Sequence, residues 1–535
     1  MLSQLQKMVA FARARPGLSA IALGLVAACG YPPLHAWWIA LPALAAFAAL
    51  LWEAQSWKSA ARLGWLFSWA HLTLANNWIA TAFTYQAKMP EFLGWIAVPL
   101  LCIYLAVYPA LAAVAAHLLA RKADPFAFGL VLAGAWIITE WLRGWALTGY
   151  PWPPLGLMLL GDWDSAGIAA ALPWLGTYAL SGIAILIGGI IFWAVKTRRW
   201  WLGAGTGLAV MIAMILPIGA DQPATGGVSY TLVQPLLTQD EIDDPTKFEE
   251  QFERITRLTV PGRERSRVVL WPESAVPDYL EDGYPQRYYK RMTAGGDPVF
   301  ARNRMATIAG PQSTLLTGAV NLDFTEKFGI KRVESARNSV LAINAEGEIT
   351  GHYAKAHLVP YGEYLPMRPL LEPLGLSRLV AGSIDYDPGP GPGTIDLGVH
   401  GKVGVQICYE IVFSGEVVDQ SNRPDYIFNP SNDGWFGWWG PPQHLAQARL
   451  RAIEEGLPVL RSTTTGISAV IDASGVVRKS IGRGEADAVS GVIPPAKAPT
   501  PFSRWGNSLA LAWGALLILL GLAGPRMLAL RRQPG

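Results

Sequence analysis

Cysteine, charge and metal-ligand clusters are all scarce in this sequence, and each scarcity excludes something. Three cysteines in 535 residues, Cys29, Cys102 and Cys408, cannot build a disulfide framework. Only 16% of residues are charged and the net charge is +3, with no basic patch interleaved with aromatics, so no nucleic-acid partner is expected. The seven histidines are scattered, no Cys/His cluster has ligand spacing, and no glycine-rich phosphate loop follows a strand. Neither a metal nor a cofactor is therefore expected. There is no internal repeat and no low-complexity linker. Between Gly219 and Arg504 there is also no apolar window of about 20 residues, the length that crosses a bilayer core.

Apolar residues, by contrast, are abundant. They make up 51% of the chain and its mean hydropathy is +0.26, too apolar for an ordinary soluble enzyme of this length. The excess is local, with candidate spans near 16–34, 35–52, 62–84, 93–120, 126–147, 166–195, 200–219 and 507–525. Loop charges orient them, because short Lys/Arg-rich loops stay cytoplasmic. Lys7, Arg13 and Arg15 precede the first span; Lys58 and Arg62, Arg121 and Lys122, and Lys196, Arg198 and Arg199 follow the second, fourth and sixth; Arg526, Arg531 and Arg532 close the chain. The alternate loops carry little beyond Lys88 and Arg143. Both termini are thus expected in the cytoplasm and the long block outside it. The expected domains are 1–219 with seven membrane helices, 220–504 exported, and 505–535 with a last helix and cytoplasmic tail. "VAACG" around Cys29 imitates a lipoprotein signal, but a first membrane helix is the expected reading.

The exported block changes pattern. "VSYTLVQP", "RVVLWPES", "TLLTGAVNL", "KVGVQICYE", "DYIFNPSND", "PVLRSTT" and "SAVIDASGVV" read as strands, and "INAEGEI" as a hairpin turn with Gly347 at positive φ. Helices are expected over 246–258 and in "QHLAQARLRAIEEG". Apolar strands alternating with helices predict an α/β domain whose sheets are covered by helices.

Three polar signals stand at strand ends. Cys408 follows VGVQI, where strand becomes loop; a lone cysteine often merely fills space, and a free thiol needs a base or positive neighbours to act as a nucleophile. Glu273, in "WPESAVP", is bracketed by Pro272 and Pro277, which suits either a carboxylate held on a rigid turn or a residue of a first helical turn. Lys355 and Glu363 share "YAKAHLVPYGEYLP" with His357, and a lysine in such apolar company needs anionic partners or a developing negative charge. His357 reads as a structural hydrogen bonder. Near the end of span five, Glu140 and Arg143 lie one helical turn apart, with Arg143 either near a lipid phosphate or snorkelling.

These segments, with "ICYE" and "SNDGWFG" in the same order, resemble the nitrilase, or carbon–nitrogen hydrolase, superfamily. Joined to seven helices before and one after, they resemble its membrane-bound branch, the apolipoprotein N-acyltransferases, over essentially the whole chain. That resemblance implies an α-helical membrane domain plus an α-β-β-α sandwich, with a catalytic triad of Glu273, Lys355 and Cys408. The oxyanion would face Lys355 and the backbone N–H of Tyr409, with Glu363 and Glu410 in support. Trp435, Phe436, Trp438 and Trp439 would bind or gate lipid. The implied partners are a phospholipid acyl donor, phosphatidylethanolamine being expected, a diacylglyceryl apolipoprotein acceptor, and the bilayer of the bacterial inner membrane. A ping-pong transfer through a Cys408 thioester follows. The competing readings are a membrane-tethered amidase or nitrilase-type hydrolase, and a transporter or receptor whose exported block only binds ligand.

Overall fold

The computed structural model describes residues 10, 13–85, 90–217, 227–327, 330–374 and 385–530. The boundary expected at 219–220, and Lys7, Lys88, Arg531 and Arg532, lie outside these residues. The chain divides into one unit of Met1–Ala80, Phe92–Ala220 and Thr500–Gly535, and a second of Thr81–Glu91 and Asp221–Pro499.

The first unit is helical. Phe92–Ala120, Pro125–Trp145 and Ile168–Lys196 are long and apolar enough to cross a membrane, whereas Pro16–Ala28, Trp37–Trp52, Trp200–Ile215 and Asn507–Ala523 are apolar but shorter. Small residues let these helices touch backbone to backbone: a Cβ on Gly129 would lie 3.2 Å from the Cα of Gly189. The span expected over 93–120 is this Phe92–Ala120 stretch, broken only at Ala106 into Phe92–Leu105 and Val107–Ala120. Pro109 has no N–H to offer the Leu105 carbonyl, so the ladder is interrupted there. The span expected over 62–84 is instead a helix at Trp57–Ala75. It stops where the backbone and side chain of Asn76 both donate to the Leu72 carbonyl, and from Thr81 to Glu91 the chain belongs to the second unit.

The second unit contains two six-stranded sheets. Its strands are β1 (Ser229–Gln234), β2 (Val268–Leu270), β3 (Thr314–Lys327), β4 (Ile330–Ile343), β5 (Ile349–Ala354), β6 (Thr394–Asp396), β7 (Lys402–Val405), β8 (Tyr426–Ser431), β9 (Val459–Thr463), β10 (Ser468–Ile471), β11 (Val477–Ile481) and β12 (Asp487–Val492). The orders are β12-β1-β2-β3-β4-β5 and β11-β10-β9-β8-β7-β6. In each sheet the central trio, β1-β2-β3 or β7-β8-β9, is parallel, and β1, β2, β7, β8 and β9 are buried along nearly their whole length rather than on alternate residues. The sheets meet face to face, with Ser462 Oγ donating to the Val233 carbonyl and Thr463 Oγ1 to Gln234 Oε1.

Helices Phe248–Thr259 and Pro298–Ala309 cover the first sheet, placing Phe252, Ile255, Ala301 and Met305 against Val269, Leu315 and Leu341. Helix Gly440–Glu455 packs on the second. The result is the α-β-β-α sandwich the resemblance implied. The β4–β5 turn has Gly347 at φ 79°, as expected from "INAEGEI". The sequence reading did not name β6, β12 or helix Pro298–Ala309. Yet that helix has a recognisable start, with the Asp297 side chain accepting from Val299 N and proline in the first turn.

Candidate active site

The functional side chains sit at carboxyl ends of strands from both sheets. Glu273 follows β2 by three residues, Lys355 follows β5 directly, Cys408 follows β7 by three, and Asn432 follows β8 directly. Close approach is built into the backbone. A Cβ on Gly318 of β3 would lie 2.7 Å from the Cα of Glu273, so glycine there lets the glutamate turn fold over the strand. Ser274, next to the glutamate, and Cys408 hold φ of 52° and 51°, a left-handed geometry that costs a non-glycine residue on the order of 1–3 kcal/mol and persists only where neighbours enforce it.

Lys355 is 1% exposed. Its ammonium donates to Glu363 Oε1 at 2.9 Å and lies 3.6 Å from Glu273 Oε1. Burial works against the ammonium, but Glu363 and Glu273 more than offset it and hold the amine above its usual value. Asn338, on β4, donates its side-chain amide to Glu273 Oε1 at 2.7 Å and Glu363 Oε1 at 2.9 Å, and its main-chain carbonyl accepts from Lys355 N. The other Glu273 oxygen accepts from Asn432 N at 2.7 Å. One carboxylate is thereby fixed by a side chain and a main chain from different sheets.

Cys408 is buried. Burial pushes its thiol well above the ordinary value, the Glu273 charge adds to this, and Lys355 pulls back. The resting sulfur is therefore a thiol, which would need a base to act as a nucleophile. Both Glu273 and Lys355 act on it electrostatically, so the structure brings the three expected residues into one cluster.

Glu410 is a staple. Oε1 accepts from Tyr353 Oη, Ala356 N and His357 N, and Oε2 accepts from Ile407 N, tying the lysine loop to the cysteine loop. Burial raises its carboxyl, against the pull of those donors. Glu363 holds Lys355 and also accepts from Val359 N. Tyr409 is buried with its ring edge-on to Phe413. His357 stacks on Phe413 and pairs with Glu416, a structural place.

The aromatic loop begins beside Asn432. The Trp435 ring meets Tyr85 edge-on, Phe436 is buried against His444, and Trp438, 59% exposed, lies edge-on to Trp439. Arg143 belongs to the other unit. It lies in the helical unit, 2% exposed, donating to the Trp152 and Pro153 carbonyls with Glu140 at 3.6 Å. A side chain so enclosed does not snorkel; its donors are directed at the chain itself.

The sequence reading missed Asn338 and Asn432 as site residues. The available signals were an amide-bearing side chain at the start of the apolar run NSVLAI and the asparagine inside the quoted "SNDGWFG".

A glutamate, a lysine and a cysteine are gathered at strand ends of an α-β-β-α sandwich, and residues 233–498 match the family model described as Carbon-nitrogen hydrolase, the class of protein this fold represents. Residues 23–190 match another, described as Apolipoprotein N-acyltransferase N-terminal domain. The apolipoprotein N-acyltransferase of Rhodopseudomonas palustris is 32% identical over 497 residues, 89% of this chain and 87% of the relative. That of Bradyrhizobium diazoefficiens is 34% identical over 444 residues, 78% and 77% of the two chains. That of Caulobacter vibrioides is 32% identical over 550 residues, 96% and 94%. The chain belongs to the apolipoprotein N-acyltransferase family.

Proposed function

We propose that this chain moves an acyl group from the sn-1 position of a phospholipid, through a thioester on Cys408, to the α-amino group of the N-terminal diacylglyceryl-cysteine of apolipoproteins. The observation that carries the reading is the buried cluster of Glu273, Lys355 and Cys408 in a chain of this family. As the sulfur attacks the ester carbonyl, Glu273 takes the thiol proton. The oxyanion is met by the Lys355 ammonium and the Tyr409 N–H, donors placed in a dry site where they act most strongly. Collapse breaks the ester C–O bond, Glu273 returns the proton to the departing oxygen, and lysophospholipid leaves. The acceptor amine then attacks the thioester, Glu273 takes its proton and passes it to the cysteine sulfur, and an amide and a free thiol result. The cycle is ping-pong, with Glu363, Asn338 and Glu410 holding the donors and the base in register.

Both substrates carry acyl chains, which gives a reason for a membrane-held site. In this reading residues 1–219 and 505–535 lie in or at the inner membrane with both termini cytoplasmic, and residues 220–504 work on the periplasmic face, as the basic loops support. Trp435, Phe436, Trp438 and Trp439 guard the approach at headgroup level, where tryptophan is favoured. Phosphatidylethanolamine is the proposed donor.

The test supplies phosphatidylethanolamine with isotopically distinct sn-1 and sn-2 chains and a diacylglyceryl-cysteine peptide. The sn-1 chain on the peptide amine is the expected product. Free fatty acid formed at the same rate with or without peptide would point to a hydrolase, and transfer of the sn-2 chain would refute the donor assignment.

A further inference from the structure

A second buried cluster stands behind the cysteine, and the mechanism above does not use it. His444, in the first turns of helix Gly440–Glu455, Asp433, after β8, and Arg461, on β9, are all fully enclosed. Arg461 Nη2 donates to Asp433 Oδ1 at 2.8 Å and Oδ2 at 2.7 Å, and lies 2.9 Å from His444 Nδ1. Asp433 Oδ1 is also 2.9 Å from that nitrogen. On the far side of the ring, His444 Nε2 is 3.0 Å from the carbonyl oxygen of Cys408.

A carbonyl oxygen can only accept, so the Nε2 position carries the proton. Burial and the Arg461 charge both hold the imidazole below its ordinary value. The ring is therefore neutral, with Nδ1 accepting from Arg461. Burial opposes the Asp433 charge, but the Arg461 guanidinium outweighs it and keeps that carboxyl below its usual range.

The bonded carbonyl belongs to the same peptide group as the Tyr409 N–H. The unit is planar and trans, so fixing the C=O fixes the direction of the N–H on its opposite side. Drawing electron density toward the oxygen also strengthens that N–H as a donor, as in hydrogen-bonded chains generally. The left-handed φ of Cys408 shows that this peptide orientation must be enforced, and His444 supplies a buried contact that does so.

We propose that His444 is a positioning residue for the oxyanion site: its Nε2–H orients and polarises the Cys408–Tyr409 peptide, and Arg461, itself held by Asp433, fixes the ring and its tautomer. The inference rests on the thioester reading above. It separates oxyanion stabilisation from nucleophile placement, two properties of the same short turn.

The test compares His444→Gln, whose amide can take the place of Nε2–H, with His444→Asn, which keeps a polar group toward Asp433 but falls short of the carbonyl. In full-length protein, single-turnover acylation by phosphatidylethanolamine is followed by intact mass, and Cys408 alkylation by iodoacetamide is measured in parallel. Alkylation is a direct displacement that forms no oxyanion. The expected result is acylation slowed roughly tenfold in His444→Asn, short of the hundredfold or more for removing an oxyanion donor outright, with alkylation unchanged and His444→Gln close to wild type. Wild-type acylation in His444→Asn would overturn the proposal. So would a parallel loss of acylation and alkylation, which would mean displaced sulfur, or a His444→Gln as slow as His444→Asn. Absence of any adduct on wild type would instead remove the thioester reading on which the inference rests.

Discussion

Replacing Lys355 by methionine tests whether the lysine balances charge as well as meeting the oxyanion. Its ammonium stands 2.9 Å from Glu363 and 3.6 Å from Glu273, with all three groups nine-tenths or more enclosed. At an effective dielectric of about 20, unit charges at those separations attract by roughly 6 and 5 kcal/mol. Desolvation cancels much of this, and breaking such a buried pair typically costs about 3–5 kcal/mol, because the partner charges are left uncompensated. Lys355→Met retains the volume but leaves two carboxylates sharing one Asn338 amide. A destabilisation of that size in a unit this large lowers the apparent unfolding midpoint on the order of 6–10 °C. Adding Glu363→Gln removes one of the stranded charges, so the double variant should recover about half of the lost stability while acyl transfer stays absent. The assay is thermal unfolding of the full chain in detergent or nanodiscs, followed alongside product formation. A double variant no more stable than Lys355→Met would refute the charge-balance argument, and activity regained in the double variant would refute the role of Lys355 in the chemistry.

Three further outcomes follow from the geometry. Glu410→Gln puts an NH2 group where the two oxygens now face four donors, leaving at least one buried N–H without an acceptor; a stability loss of about 1–3 kcal/mol is expected, with slower thioester formation, read by unfolding and by intact mass. Because burial and Glu273 raise the Cys408 thiol, the sulfur stays protonated below its raised value; iodoacetamide alkylation should climb about tenfold per pH unit through pH 7–9, and a plateau beginning near pH 8 would contradict the assignment. Arg143→Lys loses the fork that serves the Trp152 and Pro153 carbonyls and Glu140, so the helical unit should unfold earlier; an unchanged midpoint would show that the buried guanidinium is not what secures that loop.

The fold and the three polar residues at strand ends were legible for a common physical reason. Glu273, Lys355 and Cys408 each interrupt an apolar strand end that packing alone would fill with another apolar residue. The parallel strands were visible as short β-rich runs without strict apolar–polar alternation, and the β4–β5 turn as a glycine among polar residues. The three-residue β6 and the edge strand β12, reading DAVSGV, carry too little periodicity to stand out. The span expected over 62–84 failed at Asn76, where hydropathy averaged across a helix stop. Asn338 was hidden because one amide in a strand looks like a surface position; only the pairing of β4 with β5 brings it between two carboxylates. The one-turn spacing of Glu140 and Arg143 made their pairing legible, but not the Trp152 and Pro153 carbonyls that the guanidinium also serves. Residue spacing gave no sign of His444 behind the cysteine, since 36 positions separate it from the carbonyl it holds.

The central claim is that Cys408 carries the acyl group between two lipid substrates. The most direct measurement is intact mass of the full-length protein and Cys408→Ala after incubation with phosphatidylethanolamine and no acceptor. The account expects one added acyl chain on the wild type, none on the variant, and discharge of the adduct by a diacylglyceryl-cysteine peptide to give the N-acylated product. Complete turnover under the same conditions with no adduct on either protein at any time point, or an adduct of equal yield on Cys408→Ala, would contradict it.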